Sequence, residues 1–201
     1  MTRRYEQRLR AEGAEETRRR VLDAVYQRLC EAPAEPLSVD RVAKMARVSR
    51  STVYLVFGSR AGLFDALGDD LRRRGGFDRV GEGVSLGESI RASVPVFVEH
   101  REVLRVLYSM AALDSQAVGG VVERMGADRA EGLARHARRL EGEGLLRGGL
   151  TAGDAADLLW AVTGFEFFDQ LYTWRGLSAE AVAEVMVDAA ERLVSDLRQV
   201  G

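Results

Sequence analysis

Residues 38–60, SVDRVAKMARVSRSTVYLVFGSR, constrain the fold more than any other stretch of the chain. They read as two very short amphipathic helices around a tight turn, with a third helix starting at once. In the first, Ser38 stands at the N-cap position, and Val39, Val42, Ala43 and Ala46 recur at the spacing of one buried face. The turn is Ala46-Arg47-Val48-Ser49, with Ser49 placed to cap the next helix. In that helix Val53, Val56 and Phe57 point inward, which leaves Arg50, Ser51, Thr52, Tyr54 and Leu55 facing out. A unit this small cannot bury a core alone, so its value lies in what it presents. A helix of about two turns that shows hydroxyls, a guanidinium and a phenol suits the major groove of DNA, about 12 Å wide.

The flanks narrow the choice. Leu22, Val25, Tyr26, Leu29 and Cys30 make a supporting helix upstream. Downstream, Ser59 caps a helix carrying Leu63, Phe64, Leu67 and Leu71. With these in register, the run VSRSTVYLVFGSRAGLF resembles the fingerprint of TetR-type transcriptional regulators over about residues 15–74. There a Thr-hydrophobe-Tyr stretch leads to an aromatic, then Ser and a basic residue. Two departures stand out. Arg47 occupies a turn position where the family usually has Gly and where φ > 0 is needed, at a cost on the order of 1 kcal/mol. Leu55 and Val56 replace the family's Tyr and His, so base reading rests on Arg50, Ser51 and Thr52, with Leu55 available to a thymine methyl.

Charge divides along the chain. Residues 1–74 hold 16 Lys/Arg against 11 Asp/Glu, a net +5, and residues 75–201 hold 13 against 20, a net −7. A basic N-terminal third on an acidic remainder fits a nucleic-acid head on a body that avoids DNA. Lys44 is the only lysine, so single arginines carry little weight. The cluster Arg3, Arg4, Arg8 and Arg10, in an N-terminal arm over residues 1–14, reads either as a minor-groove arm or as a tail in free solution. One cysteine excludes an internal disulfide and falls short of a zinc site; Cys30, on an apolar helix face, reads as a small core residue. No apolar run approaches 18 residues and the N-terminus is polar, so the expectation is a soluble cytoplasmic protein without membrane contact.

No strand-like alternation appears, so the fold class is all-α with about nine helices: a head over residues 15–74 and a ligand-binding and dimerisation body over residues 75–201. Residues 75–87 form the most glycine-rich linker. Leu86, Ile90, Val94 and Phe97 open a helix that Pro95 should kink, and Leu104, Leu107, Tyr108 and Ala111 form the next stripe. Val118, Val122, Met125, Arg129, Leu133, His136 and Leu140 follow the spacing of a long helix, and a turn over 142–149 ends it. Thr151 and Asp154 make a capping box. Behind it, ADLLWAVTGFEFFDQLYTW is apolar all round, as a helix buried on more than one side must be. Ser178 caps a last helix with a wide apolar arc.

Two such C-terminal helices most simply pair with their copies in a second subunit, and the resemblance implies a four-helix dimer interface; Leu159, Phe168, Val182, Val185, Met186, Ala189 and Leu193 are its candidates. The resemblance further implies a homodimer on a pseudo-palindromic double-stranded operator, phosphate contacts from Ser38, Tyr54 and Arg60, and release by an unknown small-molecule effector. Candidate pocket residues are Phe97, Leu104, Tyr108, Met125, Trp160 and Phe167, with His100, Thr163 and Glu166 as polar anchors; each also has a core reading. A buried Glu166 would cost several kcal/mol unless paired. No cofactor is implied. No glycine phosphate loop, nucleophile elbow or metal spacing supports an enzyme. A ligand-free helical interaction module is the alternative to a DNA-binding regulator.

Overall fold

The computed structural model describes residues 2–75, 84–114, 118 and 120–195. Nine α-helices and no strand occur among them, apart from an isolated bridge between Leu146 and Ser195. None of these helices is long and apolar enough to cross a membrane. The helices are α1 (Thr2–Glu31), α2 (Val39–Met45), α3 (Arg50–Phe57), α4 (Arg60–Gly75), α5 (Leu86–Leu113), α6 (Val121–Gly142), α7 (Ala152–Thr163), α8 (Phe165–Asp169) and α9 (Ala179–Val194).

Two compact units share the chain. The first joins Met1–Arg74 to Glu102–Val122, and the second joins Gly75–Arg101 to Glu123–Gly201. Residues 102–122, which sequence reading assigned to the body, cluster with the N-terminal residues. Helix α5 contributes to both units. It runs through Pro95 without interruption, where two separate stripes were expected; the ring removes only one backbone donor, and a helix of 28 residues tolerates that. The expected glycine-rich linker falls mainly on residues 76–83, outside the described residues.

The first unit is built on α1. Val21, Leu22, Val25 and Leu29 are buried along one face, and α2, α3 and α4 answer with Val42, Val53, Leu63, Phe64 and Leu67. The expected N-terminal arm is not separate from this helix, since α1 begins at Thr2. Arg28 is also buried, and it donates to the Ala32 carbonyl and to the Glu35 carboxylate, which ties the loop after α1 to the helix. In the second unit α7 packs along α9, and Phe97, Phe165, Phe168 and Tyr172 stack in sequence, with centroids 5.1–6.0 Å apart.

Where a single C-terminal aromatic helix was expected, three pieces stand. α7 ends at Thr163, Gly164 is extended (φ −82°, ψ 166°), α8 follows, and residues Gln170–Trp174 wind as a π-helix. A Cβ at Gly164 would sit 3.2 Å from Glu166 Oε2 and 3.3 Å from the Arg129 guanidinium. Glycine thus permits the break to close tightly, a consideration that hydrophobic periodicity does not register.

Candidate nucleic-acid interface

The turn between α2 and α3 decides what α3 can present. Its backbone closes with two bonds, Val48 N–H to the Ala43 carbonyl (3.0 Å) and Arg47 N–H to the Lys44 carbonyl (3.1 Å). That pairing requires a left-handed residue between the helices, and Arg47 supplies it at φ 54°. The expectation of a strained non-glycine turn is met in place, with no shift of register.

Ser49 then caps α3, accepting from the Thr52 N–H at 3.0 Å, and its hydroxyl also lies 2.7 Å from Ser51 Oγ and 2.8 Å from Thr52 Oγ1. Three hydroxyls therefore form one linked group at the start of the helix. Val53 and Phe57 are buried beneath it. On the other face Arg50, Ser51 and Leu55 are exposed, Leu55 to 86 %, while Thr52 and Tyr54 are half-buried. Ser38 precedes α2 in extended geometry, but its side chain makes no capping bond, so the expected cap is a backbone position only.

Gly58 (φ 74°) ends α3 and redirects the chain. Ser59 Oγ accepts from the Gly62 N–H at 2.9 Å, which starts α4. Gly62 has no room for a side chain, because a Cβ there would lie 2.1 Å from the Phe57 carbonyl oxygen. Guanidiniums lie over the rings of α3 and α4: Arg18 over Phe57 (5.1 Å), Arg60 over Phe64 (5.3 Å) and Arg50 over Tyr54 (5.6 Å). Arg50 also donates through one terminal nitrogen to both oxygens of Asp40, at 3.2 and 3.3 Å. Sequence reading missed Asp40, because its partner is ten positions away and on a different helix.

The geometry is that of a helix-turn-helix with a capped, outward-facing second helix. Residues 22–67 match the family model of bacterial regulatory proteins of the TetR family. The match spans the helix-turn-helix segment of this chain. Its fold is that of solved TetR-type structures. It is similar to NalD of Pseudomonas aeruginosa, the secondary repressor of the MexAB-OprM multidrug efflux pump, at 22 % identity over 92 % of this chain and 99 % of that one, with a TM-score of 0.70. A TetR family transcription regulator of Marinobacter aquaeolei shares 18 % identity over 92 % of this chain and 99 % of that one, with a TM-score of 0.67. SmeT, solved in complex with triclosan, shares 16 % identity over 90 % of this chain and 93 % of that one, with a TM-score of 0.69. No curated protein sequence matches the chain.

The remaining site residues are placed less as expected. Phe97, His100, Leu104 and Thr163 are buried, and Tyr108, Met125 and Phe167 are half-buried. Phe97 packs on Phe165 and Phe168 at 5.7 and 5.4 Å, which makes it core. Leu104 and Tyr108 fall in the first unit and the other pocket candidates in the second. Glu166 is exposed, so the cost reckoned for burying it does not arise. It stands in the first turn of α8, where the helix dipole favours a carboxylate. The charged residue that contacts the end of α7 is Arg129. It lies over Trp160 at 3.6 Å and donates to the Trp160 carbonyl (3.0 Å) and Thr163 Oγ1 (3.2 Å), satisfying the end of α7. Beside Trp160, an open hollow of about 290 Å³ is lined by Ala130, Ala156 and Asp157.

Four of the interface candidates, Leu159, Phe168, Val182 and Met186, are fully buried within the chain itself. Of the large apolar residues in the run from Leu158 to Trp174, Leu159, Phe165 and Phe168 are buried, five are half-buried, and Trp160 and Trp174 are exposed. Val185 is 40 % exposed, and Ala189 and Leu193 are half-buried, so these three form the outward stripe of α9.

Proposed function

We propose that this protein is a transcriptional repressor that binds a pseudo-palindromic operator as a homodimer and is released by a small, mostly apolar ligand. The observation that carries the reading is the exposed face of α3, where Arg50, Ser51, Thr52, Tyr54 and Leu55 are held outward by a capped helix with a buried back. Arg50, Ser51 and Thr52 read base edges, and Leu55 meets a thymine methyl. Ser38, Arg47, Ser49, Tyr54, Ser59 and Arg60, with the free N–H groups at the start of α4, hold phosphates and set the register.

Two copies would join through the outward stripe of α9, Val185, Ala189 and Leu193, which sets two α3 helices in successive major grooves. The repressor role takes support from the likeness to NalD. The ligand takes support from SmeT, solved with triclosan, and from the exposed ring of Trp160 above its hollow. Ligand release is a population shift: an effector that prefers the DNA-incompetent state by about 2.7 kcal/mol changes occupancy roughly a hundredfold.

The test is a gel-shift panel on the promoter beside the protein's own gene. Arg60→Ala should weaken all duplexes alike and lower the salt slope by about one unit. Arg50→Ala or Thr52→Ala should instead blur discrimination at particular bases by about 1–3 kcal/mol each. Variants that change affinity without this division of labour would remove the assignment of α3 as the reading helix. A thermal-shift screen of hydrophobic compounds, with Trp160 fluorescence as readout, tests the effector.

A further inference from the structure

Arg50 is the one long side chain among the base-reading candidates, and it does not hang free. One of its terminal nitrogens donates to Asp40 Oδ1 and Oδ2 at 3.3 and 3.2 Å, and the Tyr54 hydroxyl is a second hydrogen-bonding neighbour. One face of its guanidinium lies over the Tyr54 ring at 5.6 Å. The pair bridges α2 and α3, and each side chain is 59 % exposed. A guanidinium has five N–H donors in a rigid fork. A nitrogen held by a carboxylate and a neighbouring tyrosine fix the plane of that fork, and its five donors still provide N–H groups for an outside acceptor.

We propose that Asp40 is a positioning residue that selects the base Arg50 reads, by holding one edge of the guanidinium so that the other meets a guanine in one orientation. The inference rests on the reading of α3 as the recognition helix. Two physical effects oppose each other. A carboxylate near DNA phosphates repels them and lowers affinity for every duplex. The same carboxylate removes the ordering cost of a long side chain, a cost that corresponds to a factor of about two to twelve per immobilised group. The first effect is indifferent to sequence and the second acts only at the base that Arg50 meets, so specificity gains where general affinity loses. An exposed ion pair adds little to folding stability, so the pair's effect falls on recognition.

The experiment measures affinity of the full chain for the parent operator and for every single-base variant of it, with Asp40→Ala, Asp40→Asn, Arg50→Ala and the double variant. Asp40→Ala should lose about threefold to tenfold in discrimination at one base position, the same position at which Arg50→Ala loses its preference. It should gain affinity for random duplex. Asp40→Asn, which keeps an acceptor but not the charge, should fall between. The double variant should be no less discriminating at that position than Arg50→Ala alone. A role for Asp40 only in stabilising α2 would move all duplexes together and leave the base profile unchanged, which overturns the proposal while leaving α3 as the reading helix. Loss at a different base also overturns it. If Arg50→Ala leaves the base profile unchanged, this inference and the role given to Arg50 above fall together; if the parent binds no duplex at all, the proposed function itself fails.

Discussion

Arg47 offers a perturbation whose size follows from one angle. Its φ of 54° places an exposed, β-carbon-bearing residue in the left-handed region, because two backbone bonds across the turn admit no other conformation. The strain is about 1–2 kcal/mol for a non-glycine residue. Glycine removes it but adds conformational freedom to the unfolded chain, which costs about 0.5–1 kcal/mol. The net expectation for Arg47→Gly is a stabilisation of about 0.5–1 kcal/mol, or roughly 1–4 °C in the melting midpoint for a chain of this size. Arg47→Asn, which tolerates the left-handed region, should gain part of that. Arg47→Ala carries the same strain and should match the parent. Arg47→Val, with a branched β-carbon, should lose stability. Urea melts followed by circular dichroism give the order directly. An alanine variant as stable as the glycine variant would show that the turn is not strained, and the account of how α3 is set against α2 would fail with it.

Other outcomes follow from particular contacts. Gly62→Ala should destabilise the head, since the new methyl meets the Phe57 carbonyl oxygen at 2.1 Å, whereas Gly13→Ala, with open space around it, should stabilise α1 by about 0.5–1 kcal/mol; paired thermal melts separate the two. Burial, then Arg139 and Arg135, hold the His136 imidazole below its usual value of 6.5. The unfolded chain therefore binds this proton more readily, so stability should be level above that value and fall as pH drops through it; His136→Gln should flatten this part of the pH–stability curve. Val185→Asp, on the outward stripe of α9, should leave monomers that bind DNA weakly while unfolding as cooperatively as the parent, which light scattering and circular dichroism check together.

The head was legible in the sequence because its signals are local. Ser49 and Ser59 cap helices that begin one residue later, Thr151 and Asp154 form the expected box, and the buried positions of α1 and α4 recur at helical spacing. Even the anomaly was readable, since Arg47 stands where the turn demands φ > 0. The body was less legible, because its decisive features are tertiary. Nothing in the run from Leu158 to Trp174 announces that Gly164 is extended, or which of its apolar residues (Leu159, Phe165 and Phe168) the chain buries itself and which (Trp160 and Trp174) it leaves exposed. The contacts of Arg129 and Asp40 were not legible for the same reason: each acts on a residue of another helix, and a charged residue on a helix face gives no sign of its partner.

The most direct test of the central reading is a titration of the purified protein onto the DNA upstream of its own gene, followed by anisotropy at several salt concentrations and by footprinting. The account predicts an affinity whose logarithm falls linearly with the logarithm of salt, with a slope of several units. It also predicts two protected half-sites about one helical turn apart. Affinity for no duplex at any salt concentration would contradict it.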